Sequence, residues 1–161
     1  AQFAFQFCLA AGANVYVTSS SDEKIEEARA HGASGGYNYK QKDWHKNLWK
    51  TKGGFDVVID SAGGDQINQF IQIMRGGGRI VFYGATNGLP KSLDLYRMFW
   101  NQITLQGSTM GNDEEFKKMI RLTGDKKIVP IIDSVRPIED GVSAFEDMKH
   151  NRKSGKLVLK F

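Results

Sequence analysis

The residues that first invite a chemical reading are Thr18-Ser19-Ser20-Ser21, with Lys24 one turn further on. Hydroxyls beside a helix start, backed by a lysine, offer hydrogen-bond donors and positive charge, and such a set suits an anionic group. A second reading stays open beside it, because serines also cap helices and a lysine on a first turn is readily solvated. Further strand-like runs end in Tyr39, in Ser61-Ala62-Gly63 and in Gly84-Ala85-Thr86. Small, hydroxylic or aromatic residues there let a ligand approach the backbone, although small residues also serve tight turns.

Other chemistry lacks the residues to carry it. The only Gly-Lys pair, Gly155-Lys156, is followed by Leu157, so a phosphate-binding P-loop is not written here. A Gly-x-Ser-x-Gly nucleophile elbow is not expected. Tyr16, Tyr37, Tyr39, Tyr83 and Tyr96 are followed four places on by Ser20, Gln41, Asp43, Asn87 and Trp100, which removes the Tyr-x-x-x-Lys pair of short-chain dehydrogenases. His31, His45 and His150 lie far apart, and Cys8 is the single cysteine, so neither a zinc site nor an internal disulfide is expected. Asp60 ends a strand pattern, where polar residues are common. No catalytic acid, base or nucleophile set emerges.

The elements that would position these residues alternate along the chain. Helical patterns cover 1–11, 21–31, 42–51, 66–74, 93–100, 114–123 and 137–149. Strand patterns cover 14–18, 36–39, 55–60, 79–83, 103–108, 131–135 and 157–160. The first helix is apolar on most sides and is expected to pack beneath the centre of a sheet. Ser20 stands three residues before Glu23 in capping-box spacing, and Gly32 is placed to end that helix in a left-handed turn. FDVVID and RIVFY are the nearly continuous apolar runs of strands covered on both faces. Helices between strands imply right-handed crossovers and a doubly wound parallel sheet.

A dinucleotide-binding fold needs a strand, a glycine turn, a helix and a second strand. Here the helix and second strand are legible, and the chain is expected to start just after the glycine turn. An acid that binds the ribose 2′-hydroxyl would then fall near Thr18–Ser20, where none stands. Hydroxyls and Lys24 at that place suit a 2′-phosphate, hence NADP rather than NAD, unless the serines serve only as caps.

GANVYVTSSSDEKIEEARAHGASGGYNYKQKDW, FDVVIDSAGG, GGGRIVFYGATNG, ITLQGSTMG and SGKLVLKF follow one another in an order that resembles the medium-chain dehydrogenases/reductases. The similarity is to their quinone-oxidoreductase and zinc-type alcohol-dehydrogenase-like branch. The resemblance implies a Rossmann-type sheet lacking its first strand. It implies a cofactor domain over 1–128 and, over 129–161, a tail belonging to a catalytic domain. It implies NADP(H) as hydride carrier and a quinone, enone or carbonyl as acceptor. Ser19, Lys24 and Tyr39 would surround the 2′-phosphate; Ser61, Ala62, Gly63, Tyr83, Gly84 and Ala85 would line the dinucleotide; Ser108 would lie near the nicotinamide. It also implies a homodimer through Ile103–Ser108 and, in zinc-using members, metal ligands in a domain outside these residues. The isolated chain is expected to be inactive.

A chain of 161 residues with 40% hydrophobic content fits one domain, or one domain and part of another. Its apolar runs are too short to span a membrane, and its leading residues lack a basic signal-peptide region, so a cytoplasmic location is expected. The formal charge of +4 gathers at Lys40, Lys42, Lys46, Lys50 and Lys52 and at Arg152, Lys153 and Lys156. With no nucleic-acid module beside it, this charge reads as solvated surface. A non-catalytic nucleotide-binding or structural protein on the same fold remains the alternative to an oxidoreductase, since fold does not fix function. A Rossmann-like methyltransferase fits less well, lacking the acid that binds its ribose.

Overall fold

The computed structural model of the chain describes residues 2–150 and 154–161. Ala1, Arg152 and Lys153, which belong to the expected first helix and the second basic cluster, lie outside the described residues. Two compact units result, one of Val15–Asp113 and one of Gln2–Asn14 with Glu114–Phe161.

The first unit runs β1 (Tyr16–Ser19), α2 (Asp22–Ala30), β2 (Gly35–Asn38), α3 (Trp44–Lys52) and β3 (Phe55–Asp60). It continues with α4 (Gln66–Ile73), β4 (Met74–Phe82), α5 (Leu95–Trp100) and β5 (Thr104–Gly107). Every strand pair in it is parallel. β1 pairs with β2, Tyr16 opposite Gly35 and Ser19 opposite Asn38. β3, β4 and β5 form a second sheet in that order, with Asp60 opposite Phe82 and Phe82 opposite Gly107. No ladder joins β1 to β3 among the described residues. The interruption falls where the strand order of a Rossmann sheet places its first strand. The rings of Tyr16 and Phe55, at the starts of β1 and β3, meet edge-on at 5.4 Å.

One apolar cluster holds this unit. Trp44 and Leu48 of α3, Ile67, Phe70, Ile71 and Ile73 of α4, and Met74 and Ile80 of β4 are buried together, with Ile103. The spacing of Ile67, Phe70 and Ile71 on α4 is the i, i+3, i+4 stripe that turns one helix face inward. The Trp44 indole packs edge-on against Phe70, and its Nε1 donates to Gln69 Oε1 at 3.0 Å, so the ring is buried without a lost hydrogen bond. Tyr37 and Phe55 pack against the same cluster, which links both sheets through α3. The opposite face of β3 is open, with Val57 55% and Ile59 43% exposed.

The second unit holds α1 (Gln2–Ala10), α6 (Asp113–Asp125, its first residue counted with the other unit), β6 (Ile132–Pro137), α7 (Gly141–Lys149) and β7 (Lys156–Lys160). β6 and β7 are parallel, and Arg136 and Asp147 form a 2.8 Å ion pair beside them. Gly155 has φ +148°, and a Cβ there would stand 2.7 Å from Asp133 N, so glycine is required for the entry into β7. Gln6 Nε2 donates to Val129 O at 2.6 Å, and Lys156 Nζ lies 4.9 Å from the Phe3 ring centre. α1 thus groups with the tail. No helix of the described residues is long and apolar enough to cross a membrane.

Two boundaries differ from the sequence reading in instructive ways. Met74 was expected in a helix but is extended (φ −77°, ψ 141°) and opposes Phe55, so β4 begins there and runs through Gly76–Gly78. Pro137 closes β6, pairing with Lys160, and a 3-10 turn over Ile138–Asp140 intervenes before α7.

Burial separates Ile80, fully buried, from Val57 on the open face. Ile80→Ala should therefore cost about 2–5 kcal/mol of stability in urea unfolding, and Val57→Thr about 0.5 kcal/mol or less. A comparable loss at both positions would contradict the location of the core. His45 is 9% exposed, and its Nδ1 lacks a hydrogen-bond partner. Burial, reinforced by the Lys46 charge, holds its pKa below the ordinary histidine value against opposing effects of Asp43 and Gln72. The unfolded chain therefore takes up this proton first. Stability from this site should be intact above about pH 6.5 and fall as pH drops toward the lower folded-state pKa. His45→Gln should flatten that part of the stability profile, and an unchanged slope would remove His45 as its source.

Candidate functional site

Parallel pairing places the carboxyl ends of paired strands side by side, and here main-chain bonds extend the pairing past each end. Tyr39 N donates to Ser19 O at 3.0 Å, Tyr83 N to Asp60 O at 2.9 Å and Ser108 N to Phe82 O at 2.9 Å. Tyr39, Tyr83 and Ser108 are each the first candidate residue beyond a strand, and each is fixed by its neighbour's carbonyl. The candidates fall into two groups, one on each sheet of the first unit.

The larger group lies on the β3–β4–β5 sheet. Asp60 is 7% exposed, and its Oδ2 accepts the Gly63 N–H at 2.7 Å. That bond folds Ser61-Ala62-Gly63 back over the strand end and supplies a partner for a buried carboxylate. Gly64 N donates to Gly88 O and Asn87 N to Ala62 O, zipping this loop to the one after β4. The fit is close: a Cβ on Gly84 would lie 2.5 Å from Ser61 O, and one on Gly63 would lie 3.0 Å from the Ala85 Cα. Ser61, Ala62, Gly63, Gly84 and Ala85 are therefore brought together, with Tyr83 46% exposed beside them. In sequence Asp60 reads as an ordinary strand-end polar residue; its burial and its bond to Gly63 are visible only in the fold. Its signal was the short span to Gly63-Gly64, a turn whose N–H groups need an acceptor.

The smaller group lies at the ends of β1 and β2. Ser19 Oγ accepts the Ser21 N–H at 3.2 Å, and Ser21 Oγ accepts the Lys24 N–H at 3.4 Å. Ser21, with extended backbone, is thus the N-cap of α2, one residue later than the Ser20 inferred from capping-box spacing. The bonds have a chemical consequence. A hydroxyl that accepts from the backbone keeps its own hydrogen to donate. Ser19 and Ser21 therefore serve as turn and cap residues, and each O–H keeps a hydrogen to donate. Asp22 and Glu23 stand in the first turn of α2. Asn38, opposite Ser19, donates from Nδ2 to Asp22 Oδ1 at 3.0 Å. No acid stands from Thr18 to Ser21, but Asp22 follows directly, and its tie to Asn38 depends on the β1–β2 register, which local sequence does not display.

Other reactive chemistry finds no support. Among the described residues no group of three or more His, Cys, Asp or Glu side chains is placed to hold a metal ion, so the residues present do not fit a zinc site. Burial pushes the Cys8 thiol up, away from the thiolate form that acts as nucleophile. Gly32-Ala33-Ser34-Gly35-Gly36 does carry the Gly-x-Ser-x-Gly spacing, contrary to expectation. It joins the end of α2 to the start of β2, whereas a nucleophile elbow joins a strand to a helix.

The sequence profile of the zinc-binding dehydrogenases matches residues 1–125. The zinc-type alcohol dehydrogenase-like protein YogA of Leptosphaeria maculans is 36% identical over 165 aligned positions, which cover 95% of this chain and 45% of that protein. A zinc-type alcohol dehydrogenase-like protein of Schizosaccharomyces pombe is also 36% identical, over 98% of this chain and 48% of its own length. The crystal structure of an NAD-dependent alcohol dehydrogenase superposes with a TM-score of 0.86 at 31% identity, covering 98% of this chain and 47% of that one. The chain thus spans about half the length of the relatives it matches. Its profile match, its parallel sheets and the loops at their carboxyl ends agree: the chain belongs to the zinc-binding dehydrogenase family.

Proposed function

We propose that the chain is the nucleotide-binding part of an NADP(H)-dependent oxidoreductase that, at full length, passes hydride to a quinone, enone or carbonyl, or takes it from an alcohol. The observation that carries the cofactor choice is the end of β1, where Ser19 and Ser21 keep donor hydrogens and no acid stands between Thr18 and Ser21. Ser19, Lys24 and Tyr39 would hold the 2′-phosphate. Ser61, Ala62, Gly63, Tyr83, Gly84 and Ala85 would line the dinucleotide, and Ser108 would approach its nicotinamide end. The chemistry supplied by such a cofactor is hydride transfer, with a proton from solvent or an acid completing reduction of the acceptor. These residues bind and orient; no acid, base or nucleophile set among them performs a proton transfer, and the chain alone is proposed to be inactive. Zinc, where the full-length protein uses it, would be held by residues outside this chain.

An NAD(H) reading has its own support in Asp22 and Glu23 on the first turn of α2 and in the name of one similar structure. We also read residues 1–128 as cofactor domain and 129–161 as part of a catalytic domain, a division supported by the family match ending at residue 125. A cytoplasmic location accords with the single cysteine. Dimerisation through Ile103–Ser108 would extend the sheet, because β5 is the outer strand of its sheet.

Two measurements test this reading. In titrations of the 161-residue chain, 2′-AMP should bind more tightly than 5′-AMP, and Lys24→Ala should narrow the preference about three- to tenfold. Equal affinity of the wild-type chain for both nucleotides would sink the NADP(H) assignment. The Ser108 N–H faces β4, so by alternation the Gly107 N–H faces away from it. Gly107→Pro should therefore convert a sedimenting dimer to monomer while leaving the β4–β5 ladder intact. A wild-type chain that is monomeric across the concentration range would reject the β5 interface.

A further inference from the structure

The NADP(H) reading leaves a charge problem at the end of β1. Asp22 stands one residue beyond the Ser21 cap, on the turn that would receive a phosphate, and like charges at such spacing repel. The structure shows what becomes of that carboxylate. Asn38 is engaged at both ends of its amide: Oδ1 accepts the Lys40 N–H at 3.0 Å, and Nδ2 donates to Asp22 Oδ1 at 3.0 Å. Asn38 also lies opposite Ser19 in the ladder, and the next residue, Tyr39, donates its N–H to Ser19 O. One side chain therefore ties together the first turn of α2, the strand end that carries Ser19 and the turn that carries Tyr39.

We propose that Asn38 is a positioning residue for phosphate recognition, holding the Asp22 carboxylate against β2 so that an incoming 2′-phosphate meets the Ser19 and Ser21 hydroxyls and Lys24. The inference rests on the NADP(H) reading and adds the residue that makes the site tolerate a phosphate beside an acid. An aspartate at position 38 would lose the donor and repel Asp22. An alanine there would release Asp22 to turn toward the helix N-terminus, where backbone N–H groups attract any carboxylate. A released Asp22 then brings its negative charge toward the incoming phosphate and repels it.

The test uses 2′-AMP and 5′-AMP as probes of the 161-residue chain, followed by backbone amide shifts in heteronuclear NMR. Asn38→Ala should weaken 2′-AMP about fivefold while 5′-AMP changes by less than about twofold. Adding Asp22→Asn to Asn38→Ala should restore 2′-AMP binding, which a merely structural loss would not permit. Equal weakening of both nucleotides, no weakening, or failure of the double variant to recover would overturn the role of Asn38 and leave the NADP(H) reading standing. A wild-type chain without preference for 2′-AMP would instead remove the reading itself, and this inference with it. If Asn38→Ala does not fold, Asp22→Asn alone decides the matter. With the carboxylate already held aside, that change should alter 2′-AMP affinity less than about twofold; a gain of about fivefold or more would mean that Asn38 does not shield the site.

Discussion

Two parallel strands cannot be joined by a tight turn; the chain must cross back from the carboxyl end of one to the amino end of the next. In the first unit α2 makes that crossing between β1 and β2, α4 between β3 and β4, and α5 between β4 and β5. Each carboxyl end therefore leads toward a helix start. Ser19–Ser21 lead into α2, the Ser61–Asp65 turn leads into α4, and Asp94, whose Oδ1 accepts the Arg97 N–H, caps α5. The candidate residues are consequently not independent signals. They are the kinds of residue that this edge of a parallel sheet requires, and it is family membership that singles the edge out as the proposed cofactor site.

The packing makes that edge stiff where it lies over the core. Ile71 and Ile80 are fully buried on the side covered by α3 and α4, and Asp60, buried at the end of the same sheet, accepts the Gly63 N–H. A carboxylate out of water is costly unless hydrogen-bonded, so the loop bond and the burial of Asp60 depend on each other. The β1–β2 pair has less beneath it. Ile25 of α2 and the small Ala33 are the buried apolar side chains there, with Gly35 beneath the Tyr16 ring, and its turns are organised by side-chain bonds from Ser19, Ser21 and Asn38. Polar ties replace apolar packing at the end of the unit proposed to meet the phosphate.

What was legible in the sequence was whatever local chemistry decides. FDVVID announced a strand because β-branched residues fill consecutive positions, and Gly32 ends α2 with φ +105° because only glycine takes that conformation freely. What misled was whatever tertiary context decides. Met74 favours helices, yet its pairing with Phe55 draws it into β4. Capping-box spacing selected Ser20 over Ser21, because the pattern fits either serine and only the fold of the turn chooses between them. The partner of α1 was illegible for a related reason: Phe3, Phe5 and Phe7 crowd one short helix, so no narrow stripe specifies a surface. The residues around the candidate phosphate site were partly legible. Hydroxyls and a lysine were visible as types, but the Asn38 contact to Asp22 joins positions 16 residues apart and depends on the β1–β2 register.

That register also bears on how one helix start can serve two masters. Asp22 and Glu23 complement the positive end of α2 and stabilise it by roughly 0.3–1 kcal/mol each when nothing is bound. A phosphate bound beside the turn would complement the same positive helix end, so acid and ligand are alternative solutions to one electrostatic demand. A helix start without acids would bind phosphate more readily but would leave its N–H groups to solvent in the free chain. A start with untethered acids would be stable but closed to a phosphate. Fixing Asp22 through a neutral amide lies between these limits. The carboxylate still stands close enough to favour the helix, and its hydrogen bond to Asn38 sets the direction in which its charge is presented.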